Sequence, residues 1–449
     1  MAKQSDAAEE QHVWQLGSPV EFSPKVKDRT EAQSLLVMAR QGAGYEVAGG
    51  LLGHAIQSRA THMLMDFSQR GCAIRYQVDG AWEQVPPLDR ETGDAMLYAI
   101  KQLCLMNPTD RRSAQTGSIN IKLIKDKFGL HVQSQGVPTG ERVLLKLEAE
   151  KIAFDRMTDL GMRDKMLETF KAKLDSDGNL VLITAPKGEG LTTSWILTLN
   201  TADRLIRDFQ SFEEEGSDEP EVINISQNFY GGETGKAQET VVKSACLKEP
   251  DVLLFPEFPL SESLAMTLEQ IEKNDKQVMM RSVARSATEG LVALLAKYPE
   301  LAPRIAAKIG AVLGQRLIRR LCDNCKVGFE PTPQLLKQLG IPVGRVAMLY
   351  QPFLLPPIEK QVDAEGNPAP ITPCHVCNGR GYYGRIAIFE LLMPGEKLRE
   401  AMLKTRDVAQ LNAIAKSEGH RSLQTEAVLT VARGLTGLDE LKKLFAKKA

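Results

Sequence analysis

Two groups of residues in this chain have the types and spacing that chemistry could use. The first is a pair of Cys-x-x-Cys units, Cys322/Cys325 and Cys374/Cys377. In a reducing compartment such pairs indicate metal before disulfide. Zinc takes four thiolates in a tetrahedron, and two knuckles supply two each with no position left open, so the expected site is structural. Forty-eight residues separate Cys325 from Cys374, a gap that suits a hairpin arm between knuckles. The competing reading is two redox dithiols. It is disfavoured because neither pair is expected to follow a strand and open a helix. His375, inside the second knuckle, reads as a solvent-facing bystander, and Cys72, Cys104 and Cys246 as buried or inert thiols.

The second group is a glycine-bearing loop, Ala185-Pro-Lys-Gly-Glu-Gly-Leu-Thr-Thr193. It follows the apolar run Leu180-Val-Leu-Ile183, and a helix is expected from Ser194. A loop of this kind cradles phosphates with backbone N–H groups and offers a hydroxyl to magnesium. Gly188 and Gly190 keep the backbone freedom that the cradle needs, and Thr192, followed by Thr193, is the candidate hydroxyl.

These residues need elements to hold them. Apolar runs at Leu180–Ile183, Asp251–Phe255 (ending beside Glu257) and Gln277–Met280 alternate with helical patterns. That alternation predicts a mostly parallel sheet with ligands at its C-terminal edge. Upstream, a helix from about Glu46, the alternating strand Ala73–Val78 closed by Asp79-Gly80, and strands at Ile119–Leu123, Leu130–Gln133 and Val143–Leu147 predict an α+β domain ending near residue 150. Residues 1–44 read as a flexible arm or a short peripheral helix. The acidic stretch 211–220 reads as a solvated loop, 352–373 as a proline-rich loop or hairpin arm, and 393–449 as helical. At 449 residues, with 43% hydrophobic and 25% charged residues, two or three soluble domains are expected. A net charge of −1 excludes bulk attraction to nucleic acid or anionic membrane. The polar start MAKQSDAAEEQ lacks an apolar signal core, and no run reaches the ~18 apolar residues that span a bilayer. The expected place is therefore the cytoplasm, with no direct membrane insertion.

From residue 45 to the end, the chain resembles the secretion and pilus-assembly ATPase family. The resemblance rests on Ile74-Arg-Tyr-Gln-Val-Asp-Gly80, Gly140-Glu-Arg-Val-Leu-Leu-Lys146 and Arg433-Gly-Leu-Thr-Gly-Leu-Asp-Glu440. It rests most of all on the cysteine segments Gln315–Cys325 and Cys374–Arg385, where pair spacing, flanking glycines and an expected preceding helix agree. The resemblance implies an α/β fold: a PAS-like N-terminal domain (45–150), a RecA-like ATPase domain (151–320), a zinc segment (321–392) and a helical C-terminus (393–449). It also implies a homo- or hetero-hexameric ring at the inner membrane, working with the platform proteins of a type II secretion or type IV pilus machine.

By the same resemblance, Leu191 stands where the family has its phosphate-binding lysine. An apolar side chain cannot neutralise a triphosphate, and Glu189 adds a negative charge beside it. Lys187 reads either as a solvent-facing lysine on a turn or as a group reaching a partner's phosphate. Glu257 keeps the position of the water-polarising glutamate. Pro256 and Pro259, however, replace a glycine and an arginine, Leu260 replaces an aspartate, and the histidine segment is absent. Arg75 is retained, whereas Gln77 and His131 align with arginines that act on the γ-phosphate and contribute ~10³ or more in rate. The expectation is a catalytically impaired ring, scaffold or regulatory subunit, with ATP and magnesium bound weakly or not at all. Its rivals are a functioning ATPase with an unusual lysine arrangement and a nucleotide-binding adaptor without turnover.

Overall fold

The structure, a computed structural model, describes residues 12–446 apart from 27, 152–153, 218, 358–360, 362–366 and 368. The chain divides into two compact units, parting between residues 153 and 154.

The first unit is built on a seven-stranded antiparallel sheet. Its strands are β1 (Glu21–Pro24), β2 (Ala60–Ser68), β3 (Gly71–Val78), β4 (Ala81–Leu88), β5 (Gln115–Leu123), β6 (Asp126–Val137) and β7 (Gly140–Ala149), in the order β1-β5-β6-β7-β2-β3-β4. Side chains in β7 alternate between buried and exposed, as a sheet with one covered face requires. Helices Gly44–Gln57 and Arg90–Leu103 supply the cover, and Leu51, Leu52, Met96 and Ile100 join Met65, Ile74 and Val143 in one core. The described part of the stretch expected as an arm or peripheral helix is more than that. It forms β1 and the helix Arg29–Arg40, whose Asp28 cap accepts from Thr30 N–H at 2.8 Å, and Val13, Val20, Phe22 and Ala39 are buried in the core.

The second unit is an α/β layer structure. Its sheet contains β8 (Leu180–Ala185), β9 (Phe209–Glu214), β10 (Ile225–Tyr230), β11 (Val252–Phe255), β12 (Gln277–Val283) and β13 (Ile309–Leu321). The short ladder of β14 (Val327–Phe329) and β15 (Leu349–Gln351) stands apart, and β16 (Tyr382–Leu392) completes the large sheet. The order is β10-β9-β11-β12-β8-β13-β16, parallel throughout except for the last pair. Parallel strands covered on both faces read as unbroken apolar runs, and β8 and β11 are buried along their whole length. Alternate residues of β8 serve two cores. Leu180 and Leu182 face helices Ser261–Asn274 and Ala287–Lys297, whereas Val181 and Ile183 face Asp164–Leu174 and Leu191–Thr201.

Two expectations are corrected here. Residues 211–214 are not solvated loop but the end of β9, with Ser211, Phe212 and Glu213 buried. The segment ahead of Cys322 is not a helix but the end of the strand β13, whose first half pairs with β8 and whose helical-patterned second half pairs with β16. The cysteine arm is inserted between β13 and β16. Part of the proline-rich stretch 352–373 lies outside the described residues.

Candidate functional site: a phosphate-type loop and a four-cysteine centre

The glycine loop leaves β8 at Ala185 and turns at Gly188 (φ +78°) and Gly190 (φ +84°), left-handed conformations that glycine adopts at little cost. Gly190 caps the helix Leu191–Thr201, which starts three residues ahead of the expected Ser194. Thr192 is exposed in its first turn, and Thr193 is half-buried. Leu191 packs with Leu167 and Leu317 against the apolar cluster around Trp195 and Ile183. The side chain in the lysine position is thus half-buried against the core. Lys187 is exposed on the loop.

Glu189 is tied to β13. Its Oε2 accepts from Arg316 Nε at 2.8 Å and from Leu317 N–H at 2.9 Å, while its backbone carbonyl accepts from Gln315 Nε2 at 2.7 Å. The buried Ser194 hydroxyl donates to the other end of the Gln315 amide. The loop's own carboxylate therefore occupies the nearby guanidinium.

Two strands from β8, the chain leaves β11 through Pro256 to Glu257, which is exposed. Pro259 is buried, and its carbonyl accepts from the Tyr298 hydroxyl at 2.5 Å. Behind Glu257 lies Arg281 of β12, 9% exposed. Its Nε donates to Pro256 O at 2.8 Å, its Nη2 pairs with Glu219, and its guanidinium lies 5.9 Å from the centre of the Trp195 ring. Burial raises the Glu219 carboxyl above the usual carboxylate range; Arg281 opposes that shift, while Glu213 and Glu257 add to it. Arg75 belongs to the first unit, on β3, where it pairs with Asp66 at 2.9 Å. Gln77 lies on the same strand, and His131 faces Glu148 at 3.2 Å.

The four sulfurs of Cys322, Cys325, Cys374 and Cys377 lie within 4.8 Å of one another. Cys322–Cys374 measures 3.9 Å and Cys325–Cys377 3.6 Å. A zinc with Zn–S near 2.3 Å needs sulfurs about 3.8 Å apart, so the donor set fits a tetrahedral ion. The Cys377 backbone N–H, helped by Asn324 Nδ2 at 3.2 Å, draws the Cys374 thiol down to about 6, whereas burial pushes Cys325 up. Cys322 directly follows a strand, but no helix opens at either pair, so neither has the strand-then-helix setting of a redox dithiol. The metal reading rests instead on all four sulfurs meeting. Burial raises the isolated thiols as well, Cys72 and Cys104 to about 12 and Cys246 to about 11.

Sequence reasoning missed Arg281 and Glu213 and used Gln315 and Arg316 only as zinc-segment markers. A signal existed: Arg281 is the one charge in the run Gln-Val-Met-Met-Arg-Ser-Val of a buried strand, and a buried charge demands partners.

A parallel sheet with a glycine loop opening a helix, and an acidic strand end two strands away, defines a RecA-like domain of the nucleotide-site class. The chain belongs to the Type II/IV secretion system protein family, whose model matches residues 45–443. It is 23% identical to the Type IV pilus assembly ATPase PilB of Thermus thermophilus over 403 residues, 89% of this chain and 43% of the relative. It is 22% identical to Type II secretion system protein E of Xanthomonas campestris over 422 residues, covering 92% and 69%. Thus the chain spans less than half the length of the Thermus relative and about two thirds of the Xanthomonas one. In fold it is similar to the Legionella pneumophila ATPase DotB (TM-score 0.55, 12% identity, 88% and 94% covered). It is also similar to the pilus retraction motor PilT with bound ADP (TM-score 0.50, 14% identity, 89% and 96% covered).

Proposed function

We propose that this chain is a family subunit that no longer turns over ATP, acting as a ring or scaffold component or regulator of a type II secretion or type IV pilus machine. The carrying observation is Leu191, an apolar side chain half-buried against the core at the position where a lysine would face phosphate. The pinned Glu189 supports the same reading, as does the proline on each side of the Glu257-Phe258 step. A glutamate polarises water only when its neighbours position phosphate and nucleophile. The subunit sits in the cytoplasm, in a homo- or hetero-hexamer held at the inner membrane through platform proteins. Among the described residues no helix is long and apolar enough to cross a membrane. Zinc at the four cysteines is its structural metal.

A second reading, a working ATPase, draws support from the retained Gly188/Gly190 turn, the exposed Thr192 and the presence of Glu257. Phosphate release from magnesium-ATP separates the two. The expected outcome is negligible turnover, unchanged by Glu257→Gln or Lys187→Ala. Robust magnesium-dependent release abolished by Glu257→Gln establishes the second reading instead.

A further inference from the structure

In the segment that joins the helix Leu191–Thr201 to β9, the usual division between inside and outside is reversed. Leu205 and Ile206 are 87% and 83% exposed, whereas the arginines on either side of them reach back to the protein. Arg207 donates to Leu174 O at 2.8 Å and pairs with Asp177 at 2.9 Å. Arg204 donates through Nη1 to Ile223 O at 2.5 Å and through Nη2 to Asn200 Oδ1 at 2.8 Å. Ile223, on the segment ahead of β10, is itself 80% exposed. The Arg204 bond ties the two segments into one patch with three apolar side chains outward. β9 and β10 pair in parallel from Phe209 and Ile225 onward, so the patch lies at the N-terminal edge of the sheet. The glycine loop leaves β8 at the opposite edge.

A single exposed leucine is ordinary on a protein surface. Three adjoining apolar side chains, held outward by arginines that turn inward, forgo burial that the reverse arrangement would gain. The charge is unbalanced as well. Both Arg204 acceptors are neutral, and its Nε is buried with no hydrogen-bond partner among the described residues. Burial lowers the Arg204 pKa, with no carboxylate opposing the shift. The neighbouring Asp203 accepts from Leu205 N–H at 3.3 Å instead. A guanidinium partly out of water and without an anion favours a carboxylate brought from outside, and its flat fork suits both carboxylate oxygens. The bonds of Nη1 and Nη2 lie at the surface, so that approach is open.

We propose that this patch docks a segment of a partner protein in which an acidic residue is flanked by apolar ones. The carboxylate meets Arg204, and the apolar residues cover Leu205, Ile206 and Ile223. A purely apolar segment would desolvate the guanidinium further and leave it unpaired. A purely acidic one would leave the three side chains in water. Because the patch and the glycine loop lie at opposite ends of the strands, docking here does not depend on whether ATP is turned over.

The test is fluorescence anisotropy of the full chain with a labelled amphipathic helical peptide, its apolar face built of leucine around one glutamate, and with a twin carrying lysine for that glutamate. Wild type should bind the glutamate peptide about tenfold or more tighter than the twin. Leu205→Ser combined with Ile206→Ser should weaken that binding about tenfold or more. Its melt should not change, since both side chains already stand in water. Arg204→Glu should invert the preference between the peptides; where that change loosens the segment, the double serine variant still reports. The proposal is overturned by no binding of the glutamate peptide to wild type, by equal affinity for the twins, or by affinity indifferent to the serines. An oligomer that sedimentation shows to be lost in the serine variant assigns the patch to a second copy of this chain. Binding to phosphatidylglycerol vesicles that is lost in that variant assigns it to a membrane. Either result overturns the proposal too.

Discussion

Whether a glycine loop can hold a triphosphate turns on single side chains, and Leu191 is the sharpest case. A triphosphate brings about four negative charges, and one ammonium ~4 Å away at an effective dielectric near 20 contributes about 4 kcal/mol of gross attraction per charge. Desolvating and fixing a lysine consumes much of that. Replacing Leu191 by lysine should therefore raise affinity for a non-hydrolysable ATP analogue by about tenfold, or 1–2 kcal/mol. Turnover should stay low, since Pro256 and Pro259 are untouched. The packing of Leu191 against the apolar cluster adds a second expectation, a loss of about 1 kcal/mol in stability, because the lysine stem keeps only part of that packing. Calorimetry and urea unfolding of one variant read both. Unchanged affinity would show that residues 185–193 form a structural turn and no phosphate cradle.

Among the elements, β16 carries a charge that holds two others in place. Glu390, 2% exposed, accepts from Ala287 N–H at 2.5 Å and from Leu423 N–H at 2.8 Å. These are the first residues of Ala287–Lys297 and Leu423–Ala432, so one carboxylate meets the positive ends of two helices. Gly314 on β13 makes room for it, since a Cβ there would lie 2.6 Å from Ala287 N and 2.8 Å from Glu390 Oε1. Glu390→Gln should cost about 2–4 kcal/mol, because the amide faces one N–H with its own donors. A urea midpoint equal to wild type would refute the double-cap role. The cysteine arm gives the companion prediction. Purified protein should carry about one zinc per chain, lost in Cys322→Ser or Cys374→Ser, and chelation should loosen residues 322–385. Elemental analysis with no zinc and four freely titratable arm thiols would remove the metal.

Over the whole molecule, the first unit depends on residues ahead of the family match. Val13, Val20 and Phe22 are each no more than 5% exposed, and β1 pairs with β5 along four residues. Each large apolar side chain contributes about 1.5–3 kcal/mol, and a typical domain holds only about 5–15 in total. A chain starting at residue 45 should therefore melt markedly lower or precipitate; an unchanged melt would show the segment to be peripheral. This is also where the sequence was least legible. β1 is four residues long and contains a proline, too short for its alternation to register. β9 was hidden because Glu213 and Glu214 look like solvent even though Ser211 and Gln227 hydrogen-bond the buried Glu213 carboxylate. The second half of β13 reads Gln-Arg-Leu-Ile-Arg-Arg-Leu, a helical spacing that its pairing with the distant β16 overrules. By contrast β8, β11 and β12 were visible as apolar runs, and the four cysteines were visible by spacing alone. Arg281 could be seen as an anomaly but not placed, because its meaning depends on Pro256, Glu219 and Trp195, each distant along the chain.

The glycine loop and the cysteine centre hang on one cord. β13 is gripped at Gln315, Arg316 and Leu317 by the loop and reaches Cys322 after six residues, about 20 Å of nearly taut chain. An extended strand has little slack, and this stretch has a single irregularity, between Arg319 and Leu321. From Gln315 to Leu321 it is held on one side, by β16. A pull on the arm would arrive at the loop as tension rather than as rotation about a hinge, and a locked loop would hold the arm fast in return. In the ring we propose, such a subunit would pass load between its neighbours without needing to generate any.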